Sequence, residues 1–402
     1  MADKEQYDNY SAIKDALQKQ EKSKSKSKPQ PSAGTSHKKK KSGKKGKSKK
    51  KKRKKRRTLG QRIAGLFPQH GDSVFEVFRK MTFLASSMVF IVCLVLIGKY
   101  FWENHQNAIV AEETQRIHDS VVEPQRKDPI IISDSEETHE ERYELLESAK
   151  NLLAINKDVV GYISIPNEPK IAYPVLQRKN PDDGNYYYLD KNINLEYARA
   201  GSIFMDYRNY FDDMVENLDE GGNPDGTYRR TFENSQNLVI YGHNMHDYSM
   251  FGALKYYTNN ENYYDAHPII ELESNYMKYQ YKVFGMIIVD VDDETETKFD
   301  YWNTINFKDE TEFYDYVNEI KRRTIRLTNV DIQYGDQLLT LSTCNSTFTD
   351  GRLVVFARLL RENEDLYEGC TSTANPNVKW SNSYYKWHKN TYDPDAEFIP
   401  YG

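Results

Sequence analysis

The strongest hydrophobic pattern in the chain is Met81 to Gly98, eighteen residues without a charge, preceded by Arg79-Lys80 and followed by Lys99 and the aromatic trio Tyr100-Phe101-Trp102. As a helix this run is long enough for one membrane span if Lys99 snorkels, and the basic pair before it and the aromatic belt after it favour a span over a buried core helix. A cleaved signal peptide does not fit, because its charged region would be eighty residues long and no small-residue cleavage site follows. Just upstream, Ile63–Phe67 and Val74–Phe78 form short amphipathic stretches suited to the interface.

Further along, the period of the pattern changes. Gln337–Cys344 alternates and is rich in Leu and Thr, and Arg352–Leu360 is β-branched and apolar, so both predict strands. The intervening Asn345–Gly351 has the Asn, Ser, Thr, Asp and Gly of a loop. Antiparallel pairing of the two strands sets Cys344 opposite Arg352, with Cβ atoms roughly 5 Å apart. Arg358 shares the parity of Arg352 but lies roughly 20 Å further along the strand. Another strand, Leu238–Tyr241, ends at Gly242-His243, and the following Met250, Phe251, Leu254 and Tyr257 recur at helical spacing with Asp247 or Ser249 as cap. Glu310–Arg323 predicts a helix that buries Phe313, Tyr316, Val317 and Ile320, acidic at its start and basic at its end, as the helix dipole favours. It falls between a strand near Tyr281–Val289 and the Cys344 strand. A further helix is predicted to start at Ser133 or Asp134 and to carry Tyr143, Leu145, Leu146, Ala149, Leu152 and Leu153.

Charge then orients the chain. Residues 1–80 hold 26 Lys and Arg against 7 Asp and Glu, in a protein whose net charge is −4, so basic residues dominate the N-terminal side of the apolar run. That asymmetry predicts a cytoplasmic N-terminus and an extracellular C-terminal part. Lys22–Arg57 is of low complexity and cannot bury enough apolar surface to fold, so it reads as a disordered arm lying on an anionic membrane surface, with about 1 kcal/mol for each charge near the lipid. No aromatic residue interrupts the run and no nucleic-acid-binding fold is visible, which argues against a specific nucleic-acid partner.

Three cysteines restrict the chemistry further. Cys93 lies in the apolar run, leaving Cys344 and Cys370 outside it, both read as free thiols. Two thiols without ligand spacing make no zinc site. The acidic loop Asp290–Glu296 lacks the glycine and the terminal Glu of a calcium loop and reads as solvated. No metal and no cofactor is expected. A free thiol has a pKa near 8.5 and attacks as the thiolate, so a nucleophilic Cys344 needs a partner. His243 at its strand end is the best placed of nine histidines, with His246 in the same loop as competitor. Each residue alone has a common structural explanation: a strand-end Cys is usually a small buried hydrophobe, a strand-end His a hydrogen-bonded structural residue, and an edge Arg a solvated charge.

Taken together the blocks resemble class B sortases. They are Tyr241-Gly242-His243-Asn244-Met245 with Met250-Phe251 and Leu254, Thr340-Leu341-Ser342-Thr343-Cys344, and Arg352-Leu353-Val354-Val355. Upstream are Asn156–Ile163 with Ala172-Tyr173-Pro174-Val175, and Tyr187-Tyr188-Leu189 with Ala200–Asp206. The likeness runs from about Glu140 to Arg361, in the family's order. It implies a mainly β fold with some α: a closed sortase-type β-barrel with N-terminal helices and a helix between the sixth and seventh strands, preceded by one transmembrane helix and the disordered basic arm. It also implies a cysteine transpeptidase in which Cys344 attacks the carbonyl of a threonine in a sorting signal, His243 protonates the leaving amine, and Arg352 steadies the carbonyl oxygen. The partners would be secreted proteins bearing the signal and a cell-wall precursor or pilin amine. The three residues equally permit hydrolysis, so an extracellular cysteine peptidase and a non-catalytic membrane-anchored surface binding protein remain alternatives.

Ser346 stands where some members carry an acidic residue, so no third acidic partner is assigned to His243. Val215–Asn234 reads as a long loop, and Glu362–Gly402 as an irregular extension packed by Trp380, Trp387 and its tyrosines. The expected division is a basic arm at 1–60, a juxtamembrane segment at 61–80, an anchor at 81–102, a stalk at 103–134, a catalytic domain at 135–361 and the extension at 362–402.

Overall fold

The structure is a computed structural model that describes residues 60, 64–121, 130–135, 138–182, 184–295 and 298–402, of which 130–135 and 138–140 are described by their backbone alone. The basic arm, the start of the Ile63–Phe67 stretch and Glu296 lie outside the described residues. The chain divides into two compact units, Ser11–Glu103 and a second that contains Asn104–Gly402.

In the first unit the apolar run is helical. It belongs to the helix Val74–Asp119, which is long and apolar enough to cross a membrane, and none of its apolar window is buried. Lys80 pairs with Asp72 at 2.6 Å just before the run. The end of the same helix belongs to the second unit, where Thr114 and Ile117 are buried and His118 stacks on Tyr162 with Nε2 3.1 Å from Glu273.

The second unit is built on a closed eight-stranded barrel. In chain order its strands are β1 Val159–Ile165, β2 Glu168–Leu176, β3 Ile203–Met205, β4 Asn237–Tyr241, β5 Ile269–Ser274, β6 Lys278–Asp290, β7 Leu338–Asn345 and β8 Gly351–Leu359. Around the barrel they run β6-β8-β7-β4-β3-β2-β1-β5 and close back on β6. The pairs β4–β7 and β2–β3 are parallel and the rest antiparallel. Period 2 sorts the side chains into two cores. Leu339, Leu341, Leu353, Val355 and Ala357 enter the barrel interior with Leu238 and Ile240. Leu338, Val354 and Phe356 face outward into a second core.

That outer core is covered by the helix Glu310–Arg323, which lies between the sixth and seventh barrel strands and buries Phe313, Tyr316, Val317 and Ile320 as its spacing predicts. Asp309 caps it by accepting from the Glu312 amide at 2.9 Å, while Glu312 accepts from the Lys308 amide at 2.6 Å.

Four local expectations are corrected. The helix expected from Ser133 or Asp134 spans only Glu147–Leu153, because the chain before it forms a hairpin, Ile130–Ser135 with Thr138–Arg142. Tyr143, expected on that helix, instead bridges Tyr228. Much of Val215–Asn234, expected as a long loop, instead belongs to a hairpin, Met214–Leu218 with Pro224–Arg230. The acidic loop is not wholly solvated either: Asp293 is 5% exposed and accepts from the amides of Thr295 and Ser383. In the extension Trp380 packs on Tyr384, but Trp387 is 87% exposed, and a short strand, Ser372–Ala374, pairs with Arg326–Thr328.

Candidate active site

Strand order builds the site. Because β7 lies between β4 and β8, the residue that ends β7 has neighbours on both sides. On one side Cys344 is the register partner of Arg352, as the hairpin pattern predicts. On the other side Ser342 is level with Tyr241 across the parallel pair, and Gly242 donates to the Ser342 carbonyl at 3.1 Å, which brings the His243 turn beside Thr343 and Cys344. Neighbouring strands lie about 4.8 Å apart.

Parity supplies the direction. Interior positions on these strands are 238, 240, 339, 341, 353, 355 and 357, so Cys344 and Arg352 fall on the outer face, the one that also carries Leu338, Val354 and Phe356. The six residues Leu338–Thr343 are buried, and Cys344 is the first exposed residue of β7. His243, Cys344 and Arg352 all line a single groove of about 590 Å³, walled also by Leu189, Tyr207, Tyr241, Tyr301 and Trp302. His246, the competing histidine, is exposed and does not line it.

Two of the three side chains, those of His243 and Arg352, bond the backbone around them. His243 Nε2 lies 2.9 Å from the carbonyl oxygen of Leu189. A carbonyl only accepts, so this nitrogen carries the hydrogen, and Nδ1 has no hydrogen-bond partner among the described residues. Gly242 leaves room for the turn, since a Cβ there would lie 2.4 Å from Ile203 Cδ1 and 2.8 Å from Phe251. Arg352 donates to the neighbouring Gly351 carbonyl at 3.0 Å and pairs with no carboxylate among the described residues, leaving most of its fork of donors unused.

The groove walls rest on residues that pattern reading did not single out. Tyr301 bonds Ser342 Oγ at 2.7 Å, two positions before the nucleophile candidate, and burial pushes its hydroxyl up to about 12. Asp206, fully buried, accepts from Arg208 Nε and Nη2 at 2.8 Å each and from the Tyr241 hydroxyl at 2.9 Å. Burial alone would raise its carboxyl, but the bidentate Arg208 prevails and holds it below the usual range. Arg208 also donates to the Trp302 carbonyl at 2.7 Å, tying the end of β3 to the opposite wall. Asn244 donates from its side chain to the Cys344 carbonyl at 2.8 Å. The residue stands inside the block quoted for its histidine, yet no spacing rule pairs it with a strand a hundred residues away.

Comparison with known proteins finds sortases. A family model described as "Sortase domain" matches residues 215–360. "Sortase B" of Listeria monocytogenes is 32% identical over 287 residues, covering 69% of this chain and 98% of that protein. "Sortase B" of Staphylococcus aureus is 32% identical over 239 residues, covering 59% of this chain and 82% of that protein. Among solved structures, the Staphylococcus aureus sortase B–substrate complex has a TM-score of 0.49 at 26% identity, covering 65% of this chain and all of that one. The 32% identity to the Listeria protein, over nearly its full length, makes this chain a member of the class B sortase family, whose function is transpeptidation.

Proposed function

We propose that the enzyme cleaves a Thr-containing sorting signal of secreted proteins and joins the acyl part to a cell-wall or pilin amine, with Cys344, His243 and Arg352 as the catalytic residues. The Cys344 thiolate attacks the threonine carbonyl, and the oxygen, now negative, accepts from the Arg352 guanidinium. Arginine suits this task because it stays charged and its planar fork fixes direction. Collapse breaks the peptide bond, His243 gives a proton to the departing amine, and a thioester remains on Cys344. The incoming amine attacks the thioester, His243 takes a proton from it, a new amide forms and the thiolate returns.

The observation that carries this reading is the adjacency of β4, β7 and β8, with His243 and Arg352 flanking an exposed Cys344 along one groove. The apolar helix supports a single-pass anchor, with the basic N-terminal side cytoplasmic, the enzyme outside and the arm on the anionic inner leaflet. It also supports dividing the chain into arm, juxtamembrane segment, anchor, stalk, catalytic domain and extension.

The test is to incubate the full chain in detergent with Asn-Pro and Leu-Pro peptides containing Thr, and with triglycine as the amine. A joined product, and a thioester on Cys344 found by mass spectrometry, are the expected results. Hydrolysis alone at saturating amine would replace the transpeptidase reading with a peptidase.

A further inference from the structure

The loop Asn345–Gly351, which separates the nucleophile from its arginine, holds itself weakly. Six of its seven residues are polar or glycine, and its internal bonds are Thr347 amide to Asn345 Oδ1 at 2.8 Å and Gly351 amide to Phe348 carbonyl at 3.4 Å. Gly351 must stay a glycine to close it, since a Cβ there would lie 2.5 Å from the Asn345 carbonyl oxygen. Its one apolar residue, Phe348, has no place in either core.

What meets Phe348 comes from the C-terminal extension. The ring of Tyr384 lies edge-on to it, centroids 6.4 Å apart and planes at 72°. Tyr384 is itself fixed by stacking with Trp380 at 4.4 Å and His388 at 3.8 Å. The same turn grips the strand end beside the loop. Ser381, 1% exposed, accepts from the Asp290 amide at 3.0 Å, and Ser383 donates from its hydroxyl to Asp290 at 2.8 Å and from its amide to Asp293 at 2.5 Å. Asp290 is the register partner of Gly351, and the Val291 amide donates to the Asp350 carbonyl at 3.2 Å. Val291 lines the catalytic groove. The turn is anchored in turn to the helix Glu310–Arg323, where the Lys379 amide donates to the Arg322 carbonyl at 2.9 Å and Lys379 Nζ reaches Glu319 at 2.7 Å.

We propose that the segment Trp380–His388 is a positioning element of the reaction: Tyr384 holds Phe348 and Ser383 holds the end of β6, so that the loop between Cys344 and Arg352 keeps both in register against the bound signal. Neither residue touches the reacting atoms. The proposal rests on the transpeptidase reading and adds to it a part of the chain that lies outside the barrel.

The experiment uses the full chain in detergent, an Asn-Pro peptide containing Thr, and triglycine. Tyr384→Ala should lower kcat five-fold or more with a smaller change in KM. Deuterium uptake in peptides covering 345–351 should rise in this variant while uptake in β4, β7 and β8 stays put, and Tyr384→Phe should restore both. An unchanged kcat in Tyr384→Ala overturns the proposal. So does a loss accompanied by faster exchange throughout the barrel and a lowered Tm, which is what a merely structural residue gives. Cys344→Ala run alongside separates the two possible failures. Turnover there removes the transpeptidase reading and the proposal with it, whereas an inactive Cys344→Ala beside a fully active Tyr384→Ala removes the proposal alone.

Discussion

The side-chain amide of Asn244 donates to the carbonyl oxygen of Cys344 at 2.8 Å, linking the residue after the candidate base to the backbone of the candidate nucleophile. The His243 turn and the end of β7 are thereby one bonded unit, and the separation of imidazole and sulfur does not depend on two independent loops. A neutral hydrogen bond of this kind contributes about 1 kcal/mol, or roughly five-fold in a rate that depends on it. Asn244→Ala should therefore lower kcat by about that factor in a peptide-plus-amine assay, with Tm almost unmoved. Full activity would mean that the turn holds its place through its other bonds, Gly242 amide to Ser342 carbonyl, Phe251 amide to His243 carbonyl and His243 Nε2 to Leu189 carbonyl.

Arg352→Lys keeps the charge and loses the fork. If the guanidinium binds the oxyanion, kcat/KM should fall by about 3 kcal/mol, on the order of a hundred-fold, while the thermal midpoint stays within about a degree. Cys344→Ala should be inactive, and His243→Ala should lose roughly 10²–10⁴-fold. Steady-state kinetics on the three variants would reject the assignment if Arg352→Lys matched the parent enzyme.

Gly242→Ala tests the packing behind the histidine. Its methyl would meet Ile203 and Phe251 well inside contact distance, so the turn must shift, at about 1–3 kcal/mol. Chemical denaturation should show that loss, together with a fall in kcat, because the displaced segment carries His243.

Acid stability should be set in part by Glu364, which joins two fully buried cations, Arg358 and Lys282. Hydrogen bonds from Arg358, strengthened by Lys282, outweigh burial and hold its carboxyl down at about 2. A depressed folded pKa means stability present above the ordinary glutamate value of 4.5 and lost as pH falls toward 2, roughly 3 kcal/mol in all. Denaturation midpoints at pH 5 and pH 2.5 should differ accordingly, and Glu364→Gln should shrink that difference while destabilising the protein near neutrality by leaving two buried charges without their carboxylate. An unchanged pH dependence in Glu364→Gln would assign the acid lability to other carboxylates, Asp206 first.

Local patterning determined a good deal by itself. The Cys344–Arg352 pairing follows from two strand patterns and the length of one loop, because antiparallel register is counted along a single hairpin. The helix Glu310–Arg323 follows from its apolar spacing and its end charges, and the apolar helix from length and the absence of charge. Where the hydrophobic signal was thin, the pattern misled. The expected helix start at Ser133 or Asp134 rested on capping residues with no apolar position before Tyr143, and Ile130–Ser135 with Thr138–Arg142 instead pair as a hairpin, since pairing with another strand is invisible to a window that sees one segment.

Tertiary structure decided the rest. That β4 lies parallel to β7, which brings His243 to Cys344 from a hundred residues away, is a property of barrel closure and has no local signature. The same is true of Asn244 on the Cys344 carbonyl, of Asp206 and Arg208 bracing the groove, of Tyr384 against Phe348, and of Asp293 turning from solvent to the tail. A sequence states which residues are apolar, charged or nucleophilic and how far apart they stand along the chain. Which distant groups share one site is fixed only when the barrel closes, because burial and hydrogen-bond partners belong to the packed whole.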